Sequence, residues 1–308
     1  QHAKRHNRPF RILAARNVHK TFLSAVALLD ADVQWLYDAA PSYLCACPAP
    51  ALVEQAIKRY EPSALYLTSP DYLGNMLDLT PIAEICHAHG VLLLVDNAHG
   101  AYLRFLTPSQ HPIDLGADLC CDSAHKTLAA LTGGADLHLS RSHVDLSRDA
   151  KDALLLFGST SPSYLILQSL DRVNPTLMTL PKQLQSFLPQ LDALKARLSA
   201  SRWTLFGNEP QKLTIRPKAR GVTGTQLAAH LEDHGIWCEV ADPDFTVCML
   251  TPQNDPRDFA RLEAALASAP VREPIPTEPP HARPHECVCS VREAMLAPRR
   301  IVPVSDCL

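Results

Sequence analysis

Short apolar runs alternate with amphipathic segments through the first two-thirds of the chain. Arg11–Ala15, Val33–Tyr37, Ala64–Thr68 and Val91–Val95 read as strands. The last of these is continuously apolar, the pattern of a strand buried on both faces of a parallel sheet. Between them, His19–Leu29 sets Phe22, Val26 and Leu29 on one side of a helix. Ala49–Tyr60 predicts a second helix opened by Pro48, and Leu79–His89 a third stopped by Gly90. Asp118–Cys121 and Ala135–Leu139 predict two further strands. This alternation predicts a doubly wound α/β domain with a mostly parallel sheet and helices on both faces.

After Gly158 the pattern changes. Pro162–Val173 and Leu180–Leu198 read as helices, the second long and amphipathic. A smaller α/β unit follows, with a strand at Lys212–Ile215, a helix at Thr225–His234, strands near Cys238 and Val247, and a helix at Asp258–Ala267. Prolines at 270, 274, 276, 279, 280 and 284 then predict an extended linker, with a short helix at Val291–Leu296 beyond it. The expected division is a large domain over 1–178, a linking helix with a small C-terminal subdomain over 179–269, and a linker leading into a further domain over 270–308. There is no internal repeat.

The 308 residues suffice for two cores, and 46% hydrophobic with 20% charged residues is an ordinary globular composition. A net charge of −3 gives no reason to expect nucleic acid or an acidic membrane surface as a partner. No apolar run is long enough to span a bilayer, and the basic N-terminus lacks the apolar stretch of a secretory signal. Of the ten cysteines, Cys86, Cys120, Cys121 and Cys248 lie in apolar segments, which points to reduced thiols in a cytoplasmic protein. His281, His285, Cys287 and Cys289 match no standard zinc spacing, so no metal is expected.

In an open parallel sheet, ligands bind past the carboxyl ends of the strands. Three strand ends deliver polar residues there: Arg16-Asn-Val-His-Lys-Thr21, Asp96-Asn-Ala-His-Gly100 and Asp122-Ser-Ala-His-Lys-Thr127. An acid at one strand end and a lysine at a later one is what pyridoxal 5′-phosphate (PLP) chemistry needs. The lysine condenses with the cofactor aldehyde, and the carboxylate keeps the pyridine nitrogen protonated. Asp96, Lys126, His19 as a ring-stacking side chain and Ser123 as a phosphate contact are the candidates for those roles.

At these residues the chain resembles the ornithine/lysine/arginine decarboxylase family of fold type I PLP enzymes. Arg16–Thr21 is similar to Arg-Asn-x-His-Lys-Ser, and Leu67–Gly74 to Thr-x-Pro-Thr-Tyr-Tyr-Gly. Val95–Ala101 is similar to Val-Asp-Glu-Ala-His-Gly-Ala. Gly116–Asp118, Ser123–Leu128 and Leu131–Gly134 resemble the lysine attachment segment. Ser159–Tyr164 resembles a serine-rich segment near the phosphate of a neighbouring subunit. Five ordered motifs are far more specific than any one of them.

The resemblance implies decarboxylation of lysine, arginine or ornithine to an amine and CO₂ through a Lys126 Schiff base, a step of polyamine metabolism. Asp96 would pair with the pyridinium, His19 would stack on the ring, and His99 and Ala98 would sit beside it. Ser123 and His125 would contact the phosphate or orient Lys126, and Thr160 would lie near the phosphate. Glu239 and Asp242 are the candidates for recognising a basic side chain. A homodimer or higher homo-oligomer is implied too. Asn97 departs from the family's Glu, and the Gly/Ser/Thr-rich phosphate loop expected ahead of Arg16 is missing, so the chain reads as truncated at both ends. Another fold type I reaction, such as transamination or lyase chemistry, shares Lys126 and Asp96. A non-catalytic relative would have no need of the whole set.

Overall fold

The structure is a computed structural model describing residues 2–40, 42–280, 284, 286–303 and 305. A short helix α1 (His2–Arg5) precedes a six-stranded sheet. Its strands are β1 (Arg11–Ala15), β2 (Asp32–Leu36), β3 (Ala64–Thr68), β4 (Leu92–Asp96), β5 (Leu119–Asp122) and β6 (Asp136–Leu139), in the order β2-β1-β3-β4-β5-β6. The first five run parallel, and β6 closes the edge antiparallel to β5.

The period-two geometry of a strand explains why both faces are covered. In β1, Leu13 and Ala15 enter a core with Val53 and Ile57 of α3 (Pro50–Tyr60) and with Leu79, Ile82 and Cys86 of α4 (Leu79–Ala88). Ile12 and Ala14 point the other way, onto Phe22 and Val26 of α2 (Lys20–Leu29). The proline that opens α3 is Pro50 rather than Pro48, since at the first helical position the missing N–H has no partner anyway.

After β5 comes a single turn, α5 (Ala124–Thr127), and beyond β6 lie α6 (Ser147–Phe157), α7 (Tyr164–Leu177) and α8 (Leu180–Ala200). The long α8 joins two cores. Its Leu180 and Leu184 pack on Tyr102 and Leu103, while Leu191, Leu194 and Leu198 belong to the small subdomain. That subdomain is an antiparallel sheet of β7 (Thr204–Phe206), β8 (Lys212–Arg216), β9 (Val240–Ala241) and β10 (Thr246–Met249), ordered β7-β8-β10-β9. Helices α9 (Gly224–Asp233) and α10 (Pro256–Ser268) cover it, each opened by a capping box. Strand β8 also reaches the large domain: Thr214 Oγ1 donates to Leu73 O at 2.8 Å and Lys212 Nζ to Asp71 O at 2.7 Å.

Several elements differ from the sequence expectation. Helix α6 was not anticipated because it buries none of its residues, so its leucines follow no core-facing stripe. The helix expected from Pro162 begins at Tyr164 and continues through Pro175 to Leu177. The strand near Cys238 is the two-residue β9, and β7 was missed because it is only three residues long. The proline-rich segment is laid against the small subdomain: Arg272 N donates to Arg220 O, Ile275 N to Lys218 O, and Arg216 pairs with Glu278. Gly221, at φ +76°, makes room for it, since a Cβ there would lie 2.4 Å from Glu273 O. Beyond it, α11 (Val291–Leu296) returns to the large domain, where Arg292 donates to Ala27 O at 2.7 Å. Of the His/Cys group near 285, His281 and His285 lie outside the described residues, and Cys287 and Cys289 are exposed. No helix is long and apolar enough to cross a membrane among the described residues.

Leu93 lies fully buried in β4, between β3 and β5 in the sheet. Leu93→Ala should therefore cost about 2–5 kcal/mol of folding stability, read as a lowered denaturant midpoint at unchanged slope. A loss under about 1 kcal/mol would contradict the packing described.

Candidate active site

Parallel pairing of β4 with β5, in the register Val95↔Cys120 and Asp96↔Cys121, puts two motif-bearing strand ends side by side. Asp96 closes β4 and is almost wholly buried at 7% exposure. Its Oδ2 accepts from Tyr66 Oη at 3.1 Å and its Oδ1 from Ala98 N at 3.1 Å. Burial and the Asp96 charge together push the Tyr66 phenol up, so it stays a donor.

The chain turns back after Asp96 so that His99, 3% exposed, faces Lys126 across the gap between the strands. Gly100 permits that turn, because a Cβ there would lie 2.0 Å from Asn97 Oδ1. Lys126 Nζ stands 3.1 Å from His99 Nε2 and 5.6 Å from the centre of the Tyr72 ring, which meets His99 edge-on at 5.0 Å. Burial, with the charges of Lys212, Lys126, His125 and His19 around it, holds His99 down to about 2, so it is neutral at physiological pH.

Of the expected residues, His99 and Lys126 touch, Asp96 holds Ala98 N, and His19 and His125 act on His99 through their charges. His19 is half-buried, caps α2 through its Nδ1 on Thr21 N, and contributes to the field at His99. His125 Nδ1 bonds Gly134 O at 2.8 Å, which ties the turn carrying Lys126 to the following loop. Ser123 is the N-cap residue of α5, and its hydroxyl makes no capping bond. Thr160 stands apart, exposed between α6 and α7, and no interaction joins it to Lys126, Asp96 or His99 among the described residues. Asp242 is committed to its own turn, its Oδ1 accepting from Asp244 N and Phe245 N at 2.7 Å each.

The Asn97 departure acquires a physical reason. Asn97 is fully buried and its Nδ2 donates to Asp122 Oδ1 at 2.7 Å, linking the end of β4 to the end of β5. A glutamate there would set a second negative charge against Asp122. Sequence reading assigned no role to Tyr72, Tyr66 or Lys212. Tyr72 lay inside a quoted motif, whereas Lys212 is distant in sequence and is brought in only by the docking of β8.

The site also holds polar atoms awaiting partners. Asn17 Nδ2 and Oδ1, Thr68 Oγ1, His99 Nδ1 and Thr127 Oγ1 are buried without a hydrogen-bond partner among the described residues. Asn17 and Thr68 lie at the carboxyl ends of β1 and β3. Each such group costs about 1–3 kcal/mol if left unpaired, a cost that a polar ligand reaching it would relieve.

Comparison with known proteins shows the family and the fold. The sequence pattern described as Orn/Lys/Arg decarboxylase, major domain, matches residues 7–193. A Bacillus subtilis (strain 168) protein named Uncharacterized protein YaaO is 34% identical over 87% of this chain and 58% of its own length. An arginine decarboxylase of Halalkalibacterium halodurans is 27% identical over 96% of this chain and 65% of its own. The chain thus spans less than two-thirds of these relatives. Among solved structures, the Escherichia coli constitutive lysine decarboxylase superposes with a TM-score of 0.68 at 17% identity, covering 86% of this chain and 46% of that one. The fold is that of the fold type I PLP-dependent enzymes.

Neutral His99 gives stability a definite pH dependence. Its ordinary pKa is 6.5 and its folded value is about 2, so between those values the unfolded chain binds a proton that the folded chain refuses. This contribution is complete above pH 6.5 and declines as pH falls, by up to about 1.4 kcal/mol per pH unit. Between pH 7.5 and 5.5 the chain should therefore lose more stability than its His99→Gln variant does. Equal losses in denaturant titrations would contradict the burial assigned to His99.

Proposed function

The chain belongs to the Orn/Lys/Arg decarboxylase family, and on that premise we propose that it carries the PLP site of a decarboxylase acting on a basic amino acid. One observation carries the reading: Lys126 Nζ, on the turn α5 that follows β5, lies 3.1 Å from a buried neutral histidine, and β5 pairs with the strand that ends in Asp96.

Lys126 would hold the cofactor aldehyde, Asp96 its ring nitrogen, and His19 and His99 its two sides. The unpartnered Asn17, Thr68, His99 and Thr127 atoms fit a ligand rich in donors and acceptors. When bound, PLP supplies an electron sink for the bond that breaks at the substrate Cα. The chain's own residues do the positioning. Tyr66 and Ala98 N–H each hold one Asp96 oxygen, which fixes the carboxylate plane. His99 Nε2 accepts from Lys126 and sets the direction of Nζ, while Tyr72 walls the other side. A neutral His99 adds no positive charge to a site that already holds Lys126 and Lys212.

Substrate choice follows from charge. Glu239 is exposed, its carboxylate makes no hydrogen bond or ion pair among the described residues, and its field reaches Tyr72 and Lys212. It is the acid that would meet a distal ammonium or guanidinium, and with Asp242 engaged in its turn it is the better of the two candidates. The free thiols support a reducing setting such as the cytoplasm. Exposed Leu155 (76%), Leu156 (75%) and Tyr164 (87%) on α6 and α7 support a homodimer that covers them.

Adding PLP should raise a visible absorption band that Lys126→Ala lacks; the same band in the variant would remove Lys126 from its role. Arginine, lysine or ornithine should release CO₂ without keto acid, and Lys126→Ala should slow that release by roughly 10²–10⁴-fold or more. Keto-acid formation would point to transamination instead. Asp96→Asn should retain binding and lose most turnover, and near-normal turnover would exclude Asp96. Light scattering should give twice the chain mass, with a monomer ruling out the covered face.

A further inference from the structure

Asp122 ends β5, four residues ahead of Lys126, and sits in a cluster the proposed reaction does not use. Its Oδ2 receives His111 Nε2 at 3.0 Å and His138 Nε2 at 3.1 Å, and the three donor atoms all lie within 4.8 Å of one another. Cys120, two residues back on the same strand face, brings its Sγ to 3.7 Å from His111 Nε2 and 3.8 Å from Asp122 Oδ1. The β5–β6 register sets His138 opposite Cys120.

His111, Asp122 and His138 bring three donor atoms within 4.8 Å of one another, and Cys120 Sγ, 3.7 Å from His111 Nε2, stands where a fourth donor could join them. A tetrahedral zinc ion with ligand bonds of about 2.0–2.3 Å has ligand–ligand edges of about 3.3–3.6 Å. The observed contacts of 3.0, 3.1 and 3.7 Å need shifts of only a few tenths of an ångström to match. Asn97 Nδ2 already holds the other Asp122 oxygen at 2.7 Å, the outer hydrogen bond that orients a ligating carboxylate. Access is provided too: the side chains of His111 and Asp122 are only 5% and 4% exposed, but that of His138 is 41% exposed.

We propose that His111, Cys120, Asp122 and His138 form a structural site for a divalent ion of the zinc class. Without the ion, both histidines donate Nε2–H to Asp122 Oδ2, and a 3.3 Å contact from Ile113 N to His111 Nδ1 favours that tautomer. Binding moves each imidazole proton from Nε2 to Nδ1, gives up the Ile113 contact and releases the Cys120 proton to solvent, one proton per ion. No electrons are transferred. With four protein ligands and no open position, the ion is structural. It clamps β5 to β6 and to the loop at His111, stiffening the strand that presents Lys126. The spacing of these residues is no zinc motif, because the sheet register assembles them.

Titrating the tag-free, PLP-free, chelator-treated chain with Co²⁺ tests this. One equivalent should give the intense visible bands of tetrahedral cobalt with a thiolate-to-cobalt band, and Zn²⁺ should displace them. Zn²⁺ should also raise the melting temperature. His138→Ala alters a half-exposed side chain and should lose the bands while keeping the wild-type far-ultraviolet circular dichroism. Cys120→Ser should lose the thiolate band, whereas C287S/C289S should keep it. Weak octahedral spectra from the folded wild-type chain, or a thiolate band surviving in Cys120→Ser, would overturn the proposal. Neither result depends on Lys126 or on decarboxylase activity.

Discussion

The lysine site depends on the parallel alignment of β4 beside β5. Asp96 and Asp122 end those strands, and each carboxylate is buried next to groups that arrive only because the strands are neighbours. Asn97 bridges the two ends through its bond to Asp122. If the pair slipped by one residue, Asp96 would swap faces and His99 would no longer meet Lys126. The apolar core of Leu93, Val95 and Cys120, built against α3 and α4, is what holds that register.

A second constraint comes from the small subdomain. Lys212 and Thr214 of β8 bond the backbone of Asp71 and Leu73, and Glu209 accepts from the buried Tyr102 hydroxyl. The residue between Asp71 and Leu73 is Tyr72, which packs on His99 and overlies Lys126. Docking of the subdomain therefore sets one wall of the lysine site. Burial holds Glu209 above and Lys212 below their ordinary ranges, so this junction is a place where charge is costly and geometry is tightly specified.

The large domain was legible because its signals are local. Continuous apolar strands and Gly90 after α4 each leave a mark in a short window of sequence, and the start of α3 was marked by Pro48, two residues ahead of the Pro50 that opens it. The strand-end motifs likewise named His99 and Lys126, whose side chains meet at 3.1 Å, and Asp96 at the end of the neighbouring strand. What escaped was what only tertiary packing creates. The helix α6 buries nothing and so shows no stripe, and β7 is too short to show a period. Lys212 acts on His99 through its charge and bonds Asp71 O, yet it looks like an ordinary strand residue until β8 docks. The Asp122 cluster is likewise assembled from a loop and two strands, and Asn97 looked like a lost charge until its Asp122 partner was seen.

The central claim is that Lys126, and no neighbouring amine, is the residue that holds the cofactor. Lys212 is the natural competitor, since it lies in the same field and burial lowers its pKa. Borohydride reduction of the PLP-treated chain, followed by peptide mapping with mass spectrometry, separates the two. The account predicts a pyridoxyl group on the peptide containing Lys126 and an unmodified Lys212 peptide. A label on Lys212, or none on either, would contradict it.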